Sequence, residues 1–401
     1  MYFKDGFKDE VAIIGMGCSK FGERWGVGLE DLIIEAAYEA FEDAGVGAKD
    51  IKVAYFANTS APNNCSGTPV ADALKMHGIP ITRNENWCTA GHIALIDACV
   101  AVKSGMCDIA MAIGAEKLKD KGSGGLGVGR GLNPVRETRR DAPGSFALIA
   151  QAYFRKYGLT YEQGKTMLAK ISVKNHLNGS LSPKAHFQNI ITLEQVMNAP
   201  IISTPLGLYD CCGTSDGASA VIVTRADLAK NFRDDPIYVK GFGISTDMIT
   251  PHYRSRNFDW TSFESLRSCA KMAYDMAGIK DPRKELDLAE VHDCFSVTEM
   301  LIYEDFGFCE RGTAYKDIEE GFFERTGGLP VNVDGGLKCF GHPVGASGIR
   351  MTYEIYKQLQ YKVDNPARQI KDVHLGLSQT FGGPPQIASC IILGNEKARL
   401  I

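Results

Sequence analysis

The chain has 401 residues and a formal net charge of −4, with 44% hydrophobic and 23% charged residues. These are the proportions of a globular protein of two or three domains, not of a disordered or fibrous chain. The near-neutral balance excludes the concentrated basic surface that nucleic acid needs. No apolar run approaches the roughly 18 residues of a membrane span, and the charged start MYFKDGFKDE lacks a signal-peptide core. The expected location is therefore the cytoplasm.

The elements follow in chain order. Glu10–Gly15 is a short apolar strand, and Leu29–Ala44 has helical spacing ending at Gly45, a natural C-terminal cap. Ile51–Ala57 is a strand, Thr89–Ser104 an Ala-rich helix stopped by Gly105, and Cys107–Gly114 a buried strand. This alternation predicts an α/β fold with a mostly parallel sheet covered on both faces. Residues 115–205 break the rhythm and read as an inserted loop domain, with Val173–Gln188 a polar segment after a helix-like piece. Regularity returns at Ser215–Thr224. The domain scheme is therefore residues 1–114 with 206–230, an insert at 115–205, and a second half at 231–401.

The second half repeats the first. A shift of 233 places Ala37, Ala40 and Ala44-Gly45 over Ala270, Ala273 and Ala277-Gly278, and a shift of 254 places Cys88-Thr-Ala-Gly91 over His342-Pro-Val-Gly345. The strands Leu286–Val291, Val373–Leu377 and Ile387–Leu393 match Ile51–Ala57, Ile109–Ile113 and Ala218–Val223 in the same order. A duplication of this length means two similarly folded halves rather than a solenoid.

Two excesses remain: 43 glycines, about 11% against an average near 7%, and 12 cysteines. Without an export signal the cysteines read as thiols, and most as small core residues. Cys88 stands apart because it precedes an Ala-rich helix, whose positive N-terminus stabilises a thiolate. His342, on the matching turn of the second half, is placed to take its proton. Pro343 suits the first helical position after it. His292-Asp-Cys-Phe295 brings a further His and Cys294 to a strand end, where parallel sheets place ligands.

These segments resemble the thiolase superfamily over essentially the whole chain, and its sterol-carrier-protein-X type most of all. The resemblance rests on Gly341-His-Pro-Val-Gly-Ala-Ser-Gly348 with Asn332 and Gly335-Gly336 before it, on His292–Phe295, on Asp210, and on Ser215-Asp-Gly-Ala218. It implies two βαβαβαββ halves in a five-layered αβαβα core, with an inserted loop domain. It implies cleavage of a 3-oxoacyl-CoA by CoA through an acyl group on Cys88, with His342 as base and His292 forming an oxyanion hole with a water. Asn332 would hold a water or the active-site loop, and backbone amides near Cys88 and Gly383 a second oxyanion. CoA is a co-substrate, and neither a tightly bound cofactor nor a metal is implied.

Many thiolases carry a second catalytic Cys in a C-terminal CxG motif. Here the loop reads Leu377-Ser-Gln-Thr-Phe-Gly-Gly-Pro-Pro385, and the resemblance assigns that work to Cys294. Trp87 and His92 also depart from the usual Cys-Ala-Ser-Gly and shape the acyl pocket, unless Trp87 packs in the dimer interface or the core. Arg130, Arg136, Arg139 and Arg140 are candidates for the CoA phosphates, or a solvated basic loop. Cys339-x-x-His342 and Cys211-Cys212 have no second ligand pair at zinc spacing; Cys211-Cys212 reads as packing beneath the site. The resemblance further implies a homodimer, with a small zinc-ribbon/OB-fold subunit as a possible partner. Its subgroup serves archaeal acetoacetyl-CoA formation, steroid side-chain degradation and anaerobic aromatic breakdown, which implies a bulky or aromatic 3-oxoacyl-CoA such as benzoylsuccinyl-CoA as a substrate. A non-catalytic acyl-CoA-binding scaffold and a condensing synthase are the alternatives; the latter would be expected to carry a general-acid Glu where His292–Phe295 stands.

Overall fold

The computed structural model describes residues 6–60, 66–121, 141–248, 258 and 260–396. The first half runs β1 (Val11–Cys18), α1 (Leu29–Ala44), β2 (Val53–Ala57), α2 (Thr68–Leu74), β3 (Ile81–Asn84), α3 (Ala90–Lys103) and β4 (Ile109–Glu116). An excursion follows through α4 (Ala142–Tyr157), α5 (Tyr161–Gly179), α6 (Leu193–Met197) and the small hairpin of β5 (Ile201–Ser203) and β6 (Leu206–Gly207), and β7 (Gly217–Arg225) then rejoins the sheet. The second half runs β8 (Ile237–Thr246), α7 (Glu264–Ala277), α8 (Pro282–Glu285), β9 (Leu288–Glu290), α9 (Ser296–Asp305), α10 (Ala314–Glu319), α11 (Gly336–Cys339), α12 (Val344–Leu359), β10 (Leu375–Gly382) and β11 (Ile387–Gly394).

The strands pair in the order β3-β2-β4-β7-β1-β8-β11-β10-β9. The first half thus reads β2-β4-β7-β1 and the second β9-β10-β11-β8, the same order, with β3 as an extra edge and β1 and β8 meeting at the join. The duplication read from the sequence holds strand by strand. The expectation of a mostly parallel sheet does not. Only β2–β3, β2–β4 and β9–β10 are parallel, whereas β1–β7, β4–β7, β10–β11, β8–β11 and β1–β8 are antiparallel. The reason is connection. β7 and β11 return beside strands already placed, and neither is reached by a right-handed helical crossover, which is what enforces parallel pairing.

The two halves fold over a shared helical layer. α1 packs on the first-half strands and α7 on the second-half strands, while α3 and α12 lie against each other and touch strands of both halves. This is the five-layered thiolase arrangement. It depends on glycine where α3 and α12 start. A Cβ on Gly114 would meet Gly345 O at 2.2 Å, one on Gly91 the same oxygen at 2.8 Å, and one on Gly348 the backbone nitrogen of His92 at 2.8 Å. Real side chains do not tolerate such distances, so the backbones touch directly. The turn before α3, which carries Cys88, is thereby brought against the turn before α12, which carries His342.

Between β4 and β7, α5 and α4 pack on α9 of the second half, and α5 also touches α10 and α11. The polar segment expected from Val173 onward is helical as far as Gly179, because Lys174, Asn175 and Asn178 point into the protein and are bonded there.

Candidate active site

Three elements supply the site. Cys88 sits in the turn between β3 and α3. The turn is closed by Thr89 Oγ1 and Thr89 N, which donate to Asn86 O at 2.7 and 3.3 Å, and by Ala90 N donating to Trp87 O at 3.1 Å. Trp87 takes a left-handed φ of 51°, and its ring covers Gly382 and Gly383, at either of which a Cβ would collide with it. Trp87, half-buried, therefore packs over Gly382 and Gly383 at the end of β10. His92 does not line a pocket. It is fully buried and surrounded by hydroxyls, with Ser378 Oγ at 2.7 Å from Nε2 and Ser389 Oγ at 3.2 Å from Nδ1.

His342 lies in the glycine-rich turn before α12. Its Nδ1 is 2.8 Å from Ser347 Oγ, and that hydroxyl donates to Pro343 O at 3.0 Å. A hydroxyl has one proton. With it given to Pro343 O, Ser347 accepts from His342 Nδ1–H, leaving a lone pair on Nε2. His292, after β9, stands with its ring centroid 5.1 Å from that of His342 at 84° and 4.3 Å from that of Phe381. His342 Nε2 and both ring nitrogens of His292 are buried and find no hydrogen-bond partner among the described residues. Cys88 Sγ and one nitrogen from each histidine lie within 4.8 Å of one another.

Electrostatics keep this trio neutral. Cys88 is half-buried, yet its sulfur is enclosed by protein, and desolvation pushes the thiol up to about 12, reinforced by the charges of Glu116 and Glu85. This corrects the expectation of a thiolate stabilised by the helix start, because desolvation and two nearby carboxylates outweigh the end of one helix. Burial, with Arg350 adding to it, lowers His342 to about 3. Burial and the neighbouring His342 hold His292 well below the usual histidine range. At neutral pH the site is a thiol facing two neutral imidazoles, one with an open lone pair.

Behind the histidines lies a buried polar network that anchors the His292–Phe295 segment. Asp293 accepts from Leu337 N at 2.5 Å, Lys338 N at 3.2 Å and Asn175 Nδ2 at 2.7 Å. Glu299 accepts from Lys174 Nζ at 2.6 Å, Asn175 Nδ2 at 2.7 Å, Asn332 Nδ2 at 2.9 Å and the hydroxyl of Tyr303. Asn332 also accepts from Val291 N at 2.8 Å through Oδ1, so both ends of its amide are engaged with protein. Of the two roles expected of it, these bonds serve the holding of the active-site loop, joining the end of β9 to α9. Cys294 is 6% exposed, its sulfur 4.0 Å from Thr298 Oγ1, and burial together with Cys212 and Cys88 holds its thiol well above the usual range.

Sequence reasoning missed Glu116. This buried carboxylate at the end of β4 accepts from the backbone and hydroxyl groups of Thr59 and Ser60 and from Gly345 N at 3.1 Å, tying the loop after β2 to the start of α12. It also missed Ser347, Asn175 and Glu299. The single available signal was spacing: Ser347 follows His342 by five residues, one helical turn and a half. Arg130, Arg136, Arg139 and Arg140 lie outside the described residues. Cys339 donates its thiol to Phe187 O at 2.7 Å, so its spacing from His342 is not a ligand pair. Among the described residues, Cys88, His292 and His342 are the one group whose donor atoms converge as a metal set would, and such a set suits a thiophilic cation as well as a proton. Among the described residues no helix is long and apolar enough to cross a membrane.

The chain matches the family models described as thiolase, N-terminal domain, over residues 11–227, and thiolase C-terminal domain-like, over residues 248–395. It is 38% identical over 380 residues to the acetyl-CoA acetyltransferase of Methanothermobacter thermautotrophicus, covering 93% of this chain and 96% of that one. It is 30% identical over 379 residues to the benzoylsuccinyl-CoA thiolase subunit BbsB of Thauera aromatica, covering 93% and 95%. Among solved structures it resembles the Ltp2-ChsH2(DUF35) aldolase, with a TM-score of 0.81 at 24% identity over 97% of this chain and 99% of that one. The chain belongs to the thiolase family, in its sterol-carrier-protein-X-type subgroup, and is an acyltransferase of the thiolase class.

Proposed function

We propose that the protein cleaves a short 3-oxoacyl-CoA with CoA, acetoacetyl-CoA being the first substrate to test, and that Cys88 carries the acyl group. The observation that carries this reading is the convergence of Cys88 Sγ with one ring nitrogen each of His292 and His342 within 4.8 Å, His342 Nε2 and both His292 nitrogens being without a hydrogen-bond partner among the described residues. His342 Nε2 takes the thiol proton as sulfur attacks the 3-oxo carbon, so no free thiolate need exist beforehand. His292, neutral and unpartnered, donates from one ring nitrogen to the thioester carbonyl as enolate charge develops on it. Backbone amides near Cys88 and Gly383 receive the oxyanion of the tetrahedral adduct. Cys294 protonates the departing α-carbon in place of the missing CxG cysteine. The cycle is ping-pong and uses no metal or bound cofactor.

A short acyl chain is favoured by the 38% identity to an acetyl-CoA acetyltransferase. The likeness to BbsB supports a second reading, a bulky or aromatic 3-oxoacyl-CoA such as benzoylsuccinyl-CoA. Residues 139 and 140 are proposed to meet the CoA phosphates. We further propose residues 1–114 with 206–230, 115–205 and 231–401 as the folding units, with a cytoplasmic homodimer as the assembly. A small zinc-ribbon/OB-fold subunit as partner is supported by the likeness to the Ltp2-ChsH2(DUF35) structure. Thiolysis measured over a panel of 3-oxoacyl-CoAs, with mass spectrometry of the acylated peptide, tests the reading. Turnover with acyl on Cys88 is the expected result. Acyl-CoA binding without any acyl-enzyme would leave the scaffold alternative standing.

A further inference from the structure

Cys212 has no part in the reaction described above. Its place in the fold gives it one. Cys211 pairs with Phe295 in an antiparallel bridge, and Cys212 N donates to Cys294 O at 2.9 Å. In that register residue 212 stands opposite 294, and 210 opposite 296. Opposite residues project to the same face, with Cβ atoms roughly 4.5–5.5 Å apart. The side chains confirm the register, since Ser296 Oγ donates to Asp210 Oδ1 at 2.9 Å. Cys211 and Phe295 turn to the other face, the Cys211 thiol donating to Gly207 O at 3.4 Å and Phe295 stacking on Phe146. Cys212, expected with Cys211 to pack beneath the site, thus stands opposite Cys294. Ionising Cys88 would raise both of these thiols, so the three lie near one another. Cys294 is buried, whereas Cys212 is half-buried.

We propose that Cys212 is a third thiol of the reaction site and shares with Cys294 the proton transfer at the α-carbon of the CoA thioester. This rests on the thiolase reading with Cys88 as nucleophile. When the bond between the α-carbon and the 3-carbon of the Cys88 adduct breaks, its electron pair passes to the α-carbon as an enolate. A thiol delivers its proton there, forming the new C–H bond and leaving a thiolate. That thiolate retakes a proton from the CoA thiol, whose sulfur attacks the acyl group on Cys88. A solitary buried thiolate at Cys294 is costly. A second thiol on the same face either donates to that thiolate or delivers the proton itself.

The test uses Cys294→Ala, Cys212→Ala and the double variant. It reads thiolysis of acetoacetyl-CoA, exchange of the acetyl-CoA methyl protons in deuterated water, and acetylation of Cys88 by intact mass. Each single variant is expected to lose about tenfold in exchange and the double about a thousandfold, within the range of general acid–base catalysis, while acetyl-Cys88 still accumulates in all three at long times, more slowly in the double variant. A Cys212→Ala variant with wild-type exchange, or a double variant no worse than Cys294→Ala, overturns the proposal. Wild-type protein that forms no acetyl-Cys88 overturns the thiolase reading instead, and this one with it. Should the double variant not fold, iodoacetamide mapping of the wild type decides. Labelling of Cys212 alongside Cys88, blocked by acetyl-CoA, supports the shared site, and labelling of Cys88 without Cys212 overturns it.

Discussion

The turn before α3 and the turn before α12 occupy equivalent places in the two halves, yet they are built in opposite ways. The first is closed by its own local bonds, backbone and side chain alike. It has short hydrogen bonds around Asn86, a left-handed Trp87 and a half-buried cysteine with little side-chain support. The second is wholly buried and held by side chains. Ser347 fixes the imidazole, Glu116 holds Gly345 N, and beside it the Asp293–Asn175–Glu299–Asn332 network anchors His292. A nucleophile must swing through an acyl intermediate, so its turn carries few side-chain ties of its own. A base and an oxyanion donor work only from fixed positions, so theirs are clamped. Duplication supplied the common placement, and divergence assigned the open turn and the clamped one.

The largest break of this contrast is at the open turn. Cys88→Ala should abolish acyl-enzyme formation and lower kcat by on the order of 10⁴-fold or more, with a melting temperature close to wild type, because little is anchored there. Stopped-flow thiolysis with a parallel thermal melt checks both halves of the statement, and a large drop in melting temperature would show that the open turn is structural. Next comes the contact that joins the turns. Gly345→Ala puts a methyl 2.6 Å from Ala57 O and 2.9 Å from Glu116 Oε1. It should destabilise by about 1–3 kcal/mol through overpacking and, by shifting His342 against Cys88, cost roughly 10²-fold in kcat. Glu299→Gln sharpens the clamped side. Glu299 gathers four donors, and the neutral amide cannot accept from all of them. The variant should unfold about 1–3 kcal/mol earlier in urea while still acetylating Cys88 at a reduced rate.

Much of this was legible in the chain itself. The duplication showed because Ala-rich helices and Gly-His or Cys-Thr turns recur at constant shifts, and α1 has the bounds its periodicity indicates, with Gly45 at φ 69° as its cap. Cys88, His292 and His342 come together as their motifs imply, since each lies in a turn just ahead of a helix. Strand direction was not legible, because alternation of helix and strand does not reveal that β7 and β11 return antiparallel. Nor was the ionisation of Cys88, for a helix start is visible in sequence while the enclosing protein and the approach of Glu116 from β4 are not. Cys212 escaped for the same reason. Its neighbour Cys294 is 82 residues away in the chain, and only the bridge between Cys211 and Phe295 sets the two side by side.

The finer clamp is the tautomer of His342. In Ser347→Ala the imidazole loses its partner at Nδ1 and the lone pair is no longer confined to Nε2. A fall of about tenfold in kcat with KM unchanged is expected, because the hydroxyl orients the base without touching substrate. A change in KM alone would place Ser347 at the substrate. The smallest effect is that of pH. A thiol pushed up to about 12 and an imidazole lowered to about 3 leave no ionisation of this pair between those values. The base is competent above the lower value and the thiol protonated below the upper one. The rate of Cys88 acylation under single-turnover conditions should therefore change by less than about twofold from pH 5.5 to 9. Had the open turn held a thiolate and the clamped turn an imidazolium, a limb would appear inside that window: a rise near the ordinary histidine value of about 6.5 or near the ordinary thiol value of about 8.5. Such a limb would mean that the two turns are electrostatically coupled through a charged pair, and that proton transfer precedes attack instead of accompanying it.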